Sequence, residues 1–267
     1  MFSLKKIRKY FNYWEYYLEV FVKSRTGRGI LDPQKNGEYK LLKNILNKKE
    51  NAIVFDIGAN IGEYSKFVLS ANKSERLKVF SIEADPRNFS KLSKNISDKR
   101  ITFINCAINS KPGIVNLFIS GDLNDCPGSN SIYKQESISE ESISVKAKTI
   151  LEIKEEFQVG KITLIKIDIE GAEVDAIYGM RKLLYDREVD YIQLEYNQTW
   201  ISAKKSMKDI FDIAFEYNYS LFRISLNELI PLERYTPLVD DFNFQNLLLV
   251  SPNSRLPIKP GKNKIPF

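Results

Sequence analysis

Short apolar runs alternate with amphipathic stretches over most of the chain from residue 53 onward. Ile53–Ile57 is apolar apart from Asp56 and ends in a glycine turn, which is typical of a strand buried in a parallel sheet. Similar runs predict further strands at 77–83, 101–105, 162–168 and 189–196. Helical patterns fall at 38–46, 62–71, 86–96, 151–158, 172–184 and 205–217. The alternation predicts an α/β fold, a single Rossmann-like, doubly wound and mainly parallel sheet covered by helices on both faces.

Two regions depart from this alternation. Residues 114–119 and 143–147 alternate like paired strands, and the stretch between them, 120–142, is polar and without period. Irregular stretches of this length in a compact domain commonly cover a site. We therefore expect a β-hairpin insertion with a lid at about 114–150, whose polar Ser129, Asn130 and Ser131 suit a sugar. A second pair, 220–225 and 244–250, is expected to close the sheet.

The pattern divides the chain into a helical extension over 1–37, one α/β domain over 38–251 and a basic tail over 252–267. Residues 4–23 combine many aromatic side chains with lysines and arginines, and they predict a helix with a broad apolar face. Cations beside bulky aromatics favour a helix lying in a membrane interface. Glu15 and Glu19 among the aromatics favour a helix that packs on its own domain or on a second subunit.

The charge of the chain is unevenly placed. Residues 1–50 carry a net charge of +7 and the tail from Pro252 carries +4, which leaves −5 for the body of a chain whose total is +6. A mildly acidic body argues against a nucleic-acid partner. Any membrane contact is expected to be peripheral, through the N-terminal helix.

Residue types that are rare or missing exclude several classes of site. The chain has no histidine, which excludes histidine-based triads and imidazole metal sites. Its two cysteines, Cys106 and Cys126, imply no disulfide framework. No apolar run reaches the roughly 20 residues of a membrane-spanning helix, and no secretory signal is evident. We expect a cytoplasmic protein, at the inner face of the membrane if the N-terminal helix binds there.

The first predicted strand leads into the loop Asp-Ile-Gly-Ala-Asn-Ile-Gly, residues 56–62. A dinucleotide-binding loop needs G-x-G-x-x-G and a phosphate-binding P-loop ends in Gly-Lys-Ser/Thr, and neither is present. Asp56 would repel a pyrophosphate but could hold the amino and sulfonium groups of S-adenosylmethionine. The backbone at Gly58, Ala59, Asn60 and Gly62 is then expected to approach that cofactor, with positive φ angles open to the glycines.

The ends of the next two strands complete the predicted cofactor site. Glu83 ends the second strand 21 residues after Gly62, where an acidic side chain can accept both ribose hydroxyls of an adenosine; Ala84 follows it. Cys106 and Ala107 follow the third strand, where small apolar residues can border the adenine ring.

A second set of polar residues marks the fourth and fifth strands. Strand periodicity places Lys166 and Asp168 on one face, and a lysine in an apolar strand is costly to bury unless it is paired. Glu170 and Glu195 are expected at the same edge. Such a cluster shifts pKa values as a general base for a hydroxyl requires, although an ion-pair network bracing the strand ends is an open alternative. Asp168 could also bind a divalent ion such as Mg²⁺, which no spacing in the sequence requires.

These motifs together resemble a known family. The order DIGANIG, SIEADP, NCAIN, IKIDIEGAE and QLEYN is similar to that of the FkbM family of S-adenosylmethionine-dependent methyltransferases, over roughly residues 38 to 250. The resemblance implies methyl transfer to a hydroxyl, in many members that of a sugar or small metabolite of polysaccharide, glycolipid or antibiotic pathways. The family commonly has Thr-Leu-Asp before the short helix. This chain has Thr149-Ile150-Leu151, so no role of that aspartate is carried over.

The sequence thus favours an O-methyltransferase that acts on a hydroxyl of a sugar, glycan or related small metabolite. We expect Asp168 to lie between cofactor and acceptor as base or ion ligand, Glu170 and Glu195 to be the next candidates, and Lys166 to tune Asp168. Two alternatives stay open: a nucleotide-binding oxidoreductase on a similar sheet, and a non-catalytic member of the fold that binds a glycan or a partner.

Overall fold

The computed structural model describes residues 14, 17–18, 28–47, 49–119, 130–135 and 141–261. The strands are β1 (Ile53–Ile57), β2 (Lys78–Glu83), β3 (Ile101–Asn105), β4 (Ala107–Ile108), β5 (Gly113–Phe118), β6 (Ser142–Lys148), β7 (Ile162–Ile167), β8 (Val189–Tyr196), β9 (Ser220–Ile224), β10 (Leu229–Pro231) and β11 (Gln245–Val250). The helices are α1 (Glu38–Leu46), α2 (Glu63–Ala71), α3 (Pro86–Asn95), α4 (Ile150–Glu156), α5 (Glu173–Tyr178), α6 (Arg181–Tyr185), α7 (Thr199–Ser202) and α8 (Met207–Glu216), with a 3-10 turn at Pro237–Val239.

The main sheet has eight strands in the order β10-β9-β11-β8-β7-β1-β2-β3. Strands β3, β2, β1, β7 and β8 run parallel, and β11 is antiparallel to both β8 and β9. The mainly parallel α/β fold and the closing strand pair are thus confirmed. The chain leaves β1 toward β2 on one side and returns to β7 on the other. A ligand crevice is expected outside the carboxyl ends of the strands at such a reversal.

Apolar side chains of the central strands alternate between two cores, one on each face of the sheet. On one face Val54 and Leu164 pack in a cluster with Leu41 and Val68 from the helices. On the other face Phe55 belongs to a cluster that contains residues of α4 to α8. Burial on both faces explains why these strands read as continuous apolar runs.

A second, smaller sheet has the order β4-β6-β5. The predicted hairpin is confirmed, because β5 pairs antiparallel with β6. Strand β4 was not predicted, and it adds to this sheet in parallel with β6 through two residues only. Thr149 follows the sheet and caps α4, accepting a hydrogen bond from the Glu152 amide at 3.0 Å. The Thr-Ile-Leu sequence therefore retains the capping function without the missing aspartate.

The helix predicted over 172–184 is divided into α5 and α6. The break falls at Gly179, where a β-carbon would lie 2.5 Å from the carbonyl oxygen of Asn109. The loop after β4 thus approaches the backbone at the one position in this stretch that has no side chain. Prediction of a single helix was wrong because the apolar period continues across the glycine.

The ends of the chain leave some predictions open. Of the predicted helix over 4–23, the structure describes only Trp14, Tyr17 and Leu18, all exposed. The rest of that segment, Ser129 of the lid and residues 262–267 lie outside the described residues. Within the described ranges, no helix combines the length and apolar character needed to cross a membrane.

Candidate active site

The glycine loop after β1 is held between the ends of β2 and β7. The amides of Gly58 and Ala59 both donate to the Ile82 carbonyl, at 2.9 and 3.0 Å. Gly58 has φ +81°, and a β-carbon there would lie 1.8 Å from the carbonyl oxygen of Asp168. Only glycine permits this contact. The loop and the end of β7 are therefore in direct main-chain contact.

Two predicted cofactor residues, Asp56 and Gly62, are absent from the described lining of both cavities. Gly62 precedes α2, and a β-carbon there would lie 2.7 Å from side-chain carbons of Leu92 and Ile96, so it permits packing on α3. Asp56 is fully buried, its Oδ2 accepts a hydrogen bond from Ser65 at 2.6 Å, and it is absent from the described lining of both cavities. Asp56 Oδ1 has no hydrogen-bond partner among the described residues, so the expectation that Asp56 and Gly62 touch the cofactor stays a prediction.

A cleft lies at the carboxyl edge of the sheet and encloses about 550 Å³, part of it open to solvent. The predicted residues that line it are Gly58, Asn60, Glu83, Ala84, Cys106, Ala107, Asp168 and Glu170. One end is apolar, with Ile82, Ile108 and Leu117 beside Cys106. The cleft thus has one apolar and one carboxylate-rich part.

Glu83 is the buried acid of this cleft. Its Oε2 accepts the Asn60 amide at 2.8 Å and its Oε1 accepts the Asp85 amide at 2.9 Å. Burial raises the pKa of Glu83 to about 7, although these two amides lower it. Each carboxylate oxygen has a second lone pair, so the group can still accept hydrogen bonds from a ligand.

A second cavity adjoins the cleft and shares Gly58, Asn60 and Asp168 with it. It encloses about 800 Å³, including space open to solvent. Its other lining residues are Leu31, Pro33, Glu38, Tyr39, Ala59, Ile61, Glu63, Tyr64, Lys166, Glu195 and Phe244. Ala59, predicted for the cofactor, thus lies on this side. Asp168 stands at the boundary between the two cavities.

The lysine of β7 is buried and paired. Lys166 Nζ donates to Asp168 Oδ2 at 2.8 Å and lies 5.0 Å from the centre of the Tyr64 ring. Burial alone would lower the pKa of Lys166. The carboxylates of Asp168, Glu38 and Asp56 outweigh burial and raise that pKa well above its ordinary value. The predicted pairing of Lys166 with Asp168 is therefore present in the structure.

Three carboxyl groups converge beside this pair. Asp168, Glu170 and Glu195 each offer an oxygen within 4.8 Å of the others. Burial, with the negative charge of Asp168, raises the pKa of Glu170 to about 7, and burial with the charges of Asp168 and Glu170 raises that of Glu195 well above its usual range. Oxygen ligands at this spacing suit either shared protons or a hard cation.

Asn197 is a site residue that sequence reasoning did not select. Its Nδ2 donates to Glu195 Oε1 at 2.7 Å, and it also hydrogen-bonds Glu170. Its Oδ1 accepts the Thr199 amide at 2.8 Å, which fixes the orientation of the side chain. Asn197 lies two positions after Glu195, at the strand end where neighbouring polar groups converge. That position in the sequence could have identified it as a site residue.

Glu38 was also missed, and it comes from the start of α1. Its carboxyl is buried and accepts Gln193 Nε2 at 2.9 Å, and burial raises its pKa. Leu41 and Leu42 follow it at helical spacing and share its buried face. That spacing was a signal, because a glutamate on the apolar face of a helix is rarely a solvated one.

Glu173 fixes the loop between β7 and α5 through hydrogen bonds to its main chain. Its two carboxylate oxygens accept the amides of Ile169 and Gly171, at 3.0 and 2.9 Å. Burial raises its pKa to about 8. Glu170 within this loop has φ +54°, an uncommon value for a residue with a side chain. The loop that presents the carboxyl cluster is thus fixed by a buried acid.

Comparison with known proteins identifies related molecules. Residues 56–221 match the family model described as the methyltransferase FkbM domain. No curated protein sequence matches the chain.

Solved structures share the fold at low identity. A methyltransferase FkbM from Methylobacillus flagellatus is 17% identical with a TM-score of 0.48, and the match covers 83% of this chain and 56% of that one. A precorrin-6y C5,15-methyltransferase from Geobacter metallireducens is 10% identical with a TM-score of 0.46, over 84% and 98% of the chains. M. capricolum TrmK, in complex with S-adenosylhomocysteine, is 13% identical with a TM-score of 0.44, over 81% and 69%. The chain thus spans little more than half the length of the Methylobacillus protein.

Proposed function

Because the chain belongs to the FkbM methyltransferase family, we propose that it transfers the methyl group of S-adenosylmethionine to a hydroxyl of a sugar, glycan or related small metabolite. One observation carries the proposal: Asp168 lines both the cleft and the second cavity. A carboxylate at that boundary can meet an acceptor hydroxyl on one side while a cofactor occupies the other. Cofactor and acceptor would then occupy separate cavities that meet at one residue.

The polar groups of the cleft fit S-adenosylmethionine. Glu83 offers free lone pairs to the ribose hydroxyls while two amides fix its position. Asn60 Oδ1 is buried, and it has no hydrogen-bond partner within the described part of the chain. An unsatisfied buried acceptor costs roughly 1–3 kcal/mol, which a ligand N–H can recover. We assign that oxygen to the amino group of the cofactor; Asp56 Oδ1, which is also buried without a partner among the described residues, is a second acceptor for that group.

The apolar end of the cleft suits the adenine ring. Cys106 and Ala107 are buried there beside Leu117 from the small sheet. Burial raises the pKa of the Cys106 thiol to about 11, so it stays neutral and acts as a small apolar side chain. An apolar wall of this kind suits a flat base.

When bound, S-adenosylmethionine supplies a methyl group whose bonding electron pair stays on sulfur as the acceptor oxygen forms the new carbon–oxygen bond. The chain must align the acceptor, exclude water and accept the hydroxyl proton. Asp168 accepts that proton, and Lys166 balances its negative charge at 2.8 Å. Glu170 and Glu195 lie close enough to pass the proton on.

The second cavity suits a neutral polyhydroxylated acceptor. Tyr39, Tyr64 and Phe244 line it with aromatic side chains, and Glu38 and Glu195 line it with carboxyl groups. The charge of Lys166 is balanced by Asp168 at 2.8 Å, so the described lining offers no unpaired cation to a phosphate or carboxylate placed next to the reacting hydroxyl. We therefore propose a hydroxyl on an uncharged part of the acceptor as the methylated position.

Calorimetry with S-adenosylhomocysteine and, separately, a nicotinamide dinucleotide tests the cofactor assignment. We expect the first to bind and the second not to bind. The reverse result would overturn the proposal in favour of an oxidoreductase. Comparison of O-methylated sugars in glycans of the source cells with and without the gene then tests the acceptor. Unchanged sugar methylation would remove the sugar while leaving the cofactor assignment in place.

We also propose that the protein acts in the cytoplasm, with at most peripheral contact to the inner face of the membrane. The net charge of +7 over residues 1–50 and the aromatics of residues 4–23 support this location. Sedimentation with vesicles rich in anionic lipid tests the contact. Recovery of the protein in the supernatant at low salt would contradict it.

A further inference from the structure

The insertion between β5 and β6 returns to the cleft through residues 130–135, which we call the strap. At its first residue the strap is attached to the β2 side of the cleft. Asn130 Nδ2 donates to Asp85 Oδ2 at 2.7 Å. Asp85 is fully buried, caps α3, and its amide donates to Glu83. This attachment therefore lies two residues from the carboxyl assigned to the ribose.

The strap is attached to the β7 side as well. Ser131 Oγ and Gln135 Nε2 both donate to the Glu170 carbonyl, at 2.7 and 3.2 Å. Tyr133 donates its hydroxyl to Asp175 Oδ2 at 2.6 Å. The strap thus spans the cleft from one wall to the other. The sequence-based expectation that Asn130 and Ser131 face a sugar is corrected, because both side chains bind the protein itself.

The middle of the strap forms part of the cleft lining. Ser131 exchanges two main-chain hydrogen bonds with Phe118, at 2.7 and 3.1 Å, which attaches the strap to the end of β5. Ile132 lines the cleft and packs in the small-sheet cluster with Ala107 and Leu117. Ser131 is fully buried and Gln135 is 8% exposed. The strap is therefore a packed wall at the apolar end of the cleft.

We propose that the strap is the outer wall of the cofactor site, that Ile132 contacts the purine, and that the strap must detach from Asp85 and Asp175 before the cofactor enters or leaves. This inference rests on the proposed function. In that proposal the β2 wall carries Glu83, the ligand of the ribose, and the β7 wall carries Asp168, the proton acceptor, and the strap joins the two walls. Its bonds to the two carboxylates are charge-assisted and stronger than bonds between neutral groups, so breaking them limits the rate of exchange.

The test is the dissociation rate of S-adenosylhomocysteine from the full chain, measured by stopped-flow displacement. Tyr133→Phe removes the hydroxyl that binds Asp175, and Asn130→Ala removes the amide that binds Asp85. We expect each variant to release the ligand about tenfold faster, the effect of one hydrogen bond to a charged group. Tyr235→Phe is the matched control. It removes a tyrosine–aspartate bond of 3.2 Å, to Asp240, outside both cavities.

A second measurement separates purine contact from strap opening. Ile132→Ala is expected to weaken the equilibrium affinity for S-adenosylhomocysteine about tenfold. Ile114→Ala, at an exposed position of β5, is the control and should leave this affinity unchanged. If wild-type protein binds but all three strap variants behave as wild type, the strap inference is overturned and the proposed function stands. If wild-type protein does not bind this ligand, both are overturned.

Discussion

The cleft and the second cavity meet at Asp168 but are built in different ways. In the cleft, the main-chain amides of Asn60 and Asp85 hold the buried carboxyl group of Glu83 in place. In the second cavity, side chains determine the surface, and several come from outside the matched segment of 56–221, among them Glu38, Tyr39 and Phe244. The cleft, which we propose for the cofactor, therefore depends on a local sequence motif, and the second cavity, which we propose for the acceptor, depends on this chain's own flanks.

This difference indicates where substitutions should act. Changes in the cleft should alter cofactor binding, and changes in the second cavity should alter turnover with little effect on cofactor binding. Asp168 lines both cavities, so a substitution there tests the division between cofactor binding and turnover most directly.

The largest effect is expected for Asp168→Asn. Loss of the proton acceptor should lower turnover by roughly a hundredfold or more, measured as transfer of labelled methyl from S-adenosylmethionine to a glycan extract. Affinity for S-adenosylhomocysteine should change little. Asp190→Asn is the matched control, because Asp190 pairs with Lys49 and Lys161 away from both cavities. Near-normal turnover of the Asp168 variant would show that another group accepts the proton.

Glu83→Gln should act on binding. The amide has one acceptor oxygen in place of two, and its NH₂ group opposes a backbone N–H, so affinity for S-adenosylhomocysteine should fall about tenfold or more. Calorimetry measures the change. Glu195→Gln, on the acceptor side, should retain wild-type affinity. An equal loss in the two variants would mean that the cavities do not divide the two ligands.

The ligand-free protein should lose stability as pH rises. Burial raises the pKa of Glu83 and Glu170 to about 7 and that of Glu173 to about 8, from an ordinary 4.5. The folded chain therefore binds more protons than the unfolded chain between these values. The contribution of these groups to the free energy of unfolding is fully present below about pH 4.5 and is lost as pH rises through 7 to 8.

Urea denaturation at pH 5 and pH 8 measures this loss, which we expect to be at least about 3 kcal/mol, the share of one group whose pKa is about 7. Glu173→Gln should reduce it, whereas Glu50→Gln, at an exposed ion pair with Arg76, should not. Stability that increases over this pH range would contradict the assignment of buried, protonated acids.

The smallest effect is expected for divalent cations. Lys166 already supplies a positive charge to Asp168 at 2.8 Å, so a metal ion adds little to proton transfer. Addition of Mg²⁺ or of EDTA should change turnover by less than about threefold. Complete loss of turnover in EDTA, restored by Mg²⁺, would instead make Asp168, Glu170 and Glu195 a metal site.

The central strands β1 and β7 of the main sheet could be predicted because they are buried on both faces and are therefore almost continuously apolar. The site could be predicted less completely. Strand parity placed Lys166 beside Asp168 correctly. For Asp56, strand parity predicted a position near the end of a strand. It did not predict that Ser65, on the following helix, donates a hydrogen bond to the Asp56 carboxylate. Which helix side chain reaches a strand end depends on packing, and no local pattern states it.

The short strands and the contacts between residues far apart in the chain could not be predicted from the sequence, for a related reason. Strand β4 has two residues and β10 has three, too few for a period to be recognised. The strap contacts Asp85 and Asp175, 45 residues before Asn130 and 42 after Tyr133. Hydrophobic periodicity reports the face that an element buries, and it carries no information on such pairings.

The contact between Gly58 and the Asp168 carbonyl has a consequence for how this enzyme can change over evolution. The Asp168 amide also donates to the Ile57 carbonyl at 3.0 Å, so the separation between the two loops is fixed by backbone atoms alone. A misplacement of about 1 Å can cost a hundredfold in rate. For the proposed methyl transfer, new acceptors could therefore be accommodated through exchange of the side chains that line the second cavity, while the separation of the two loops stays fixed as long as the glycine is kept.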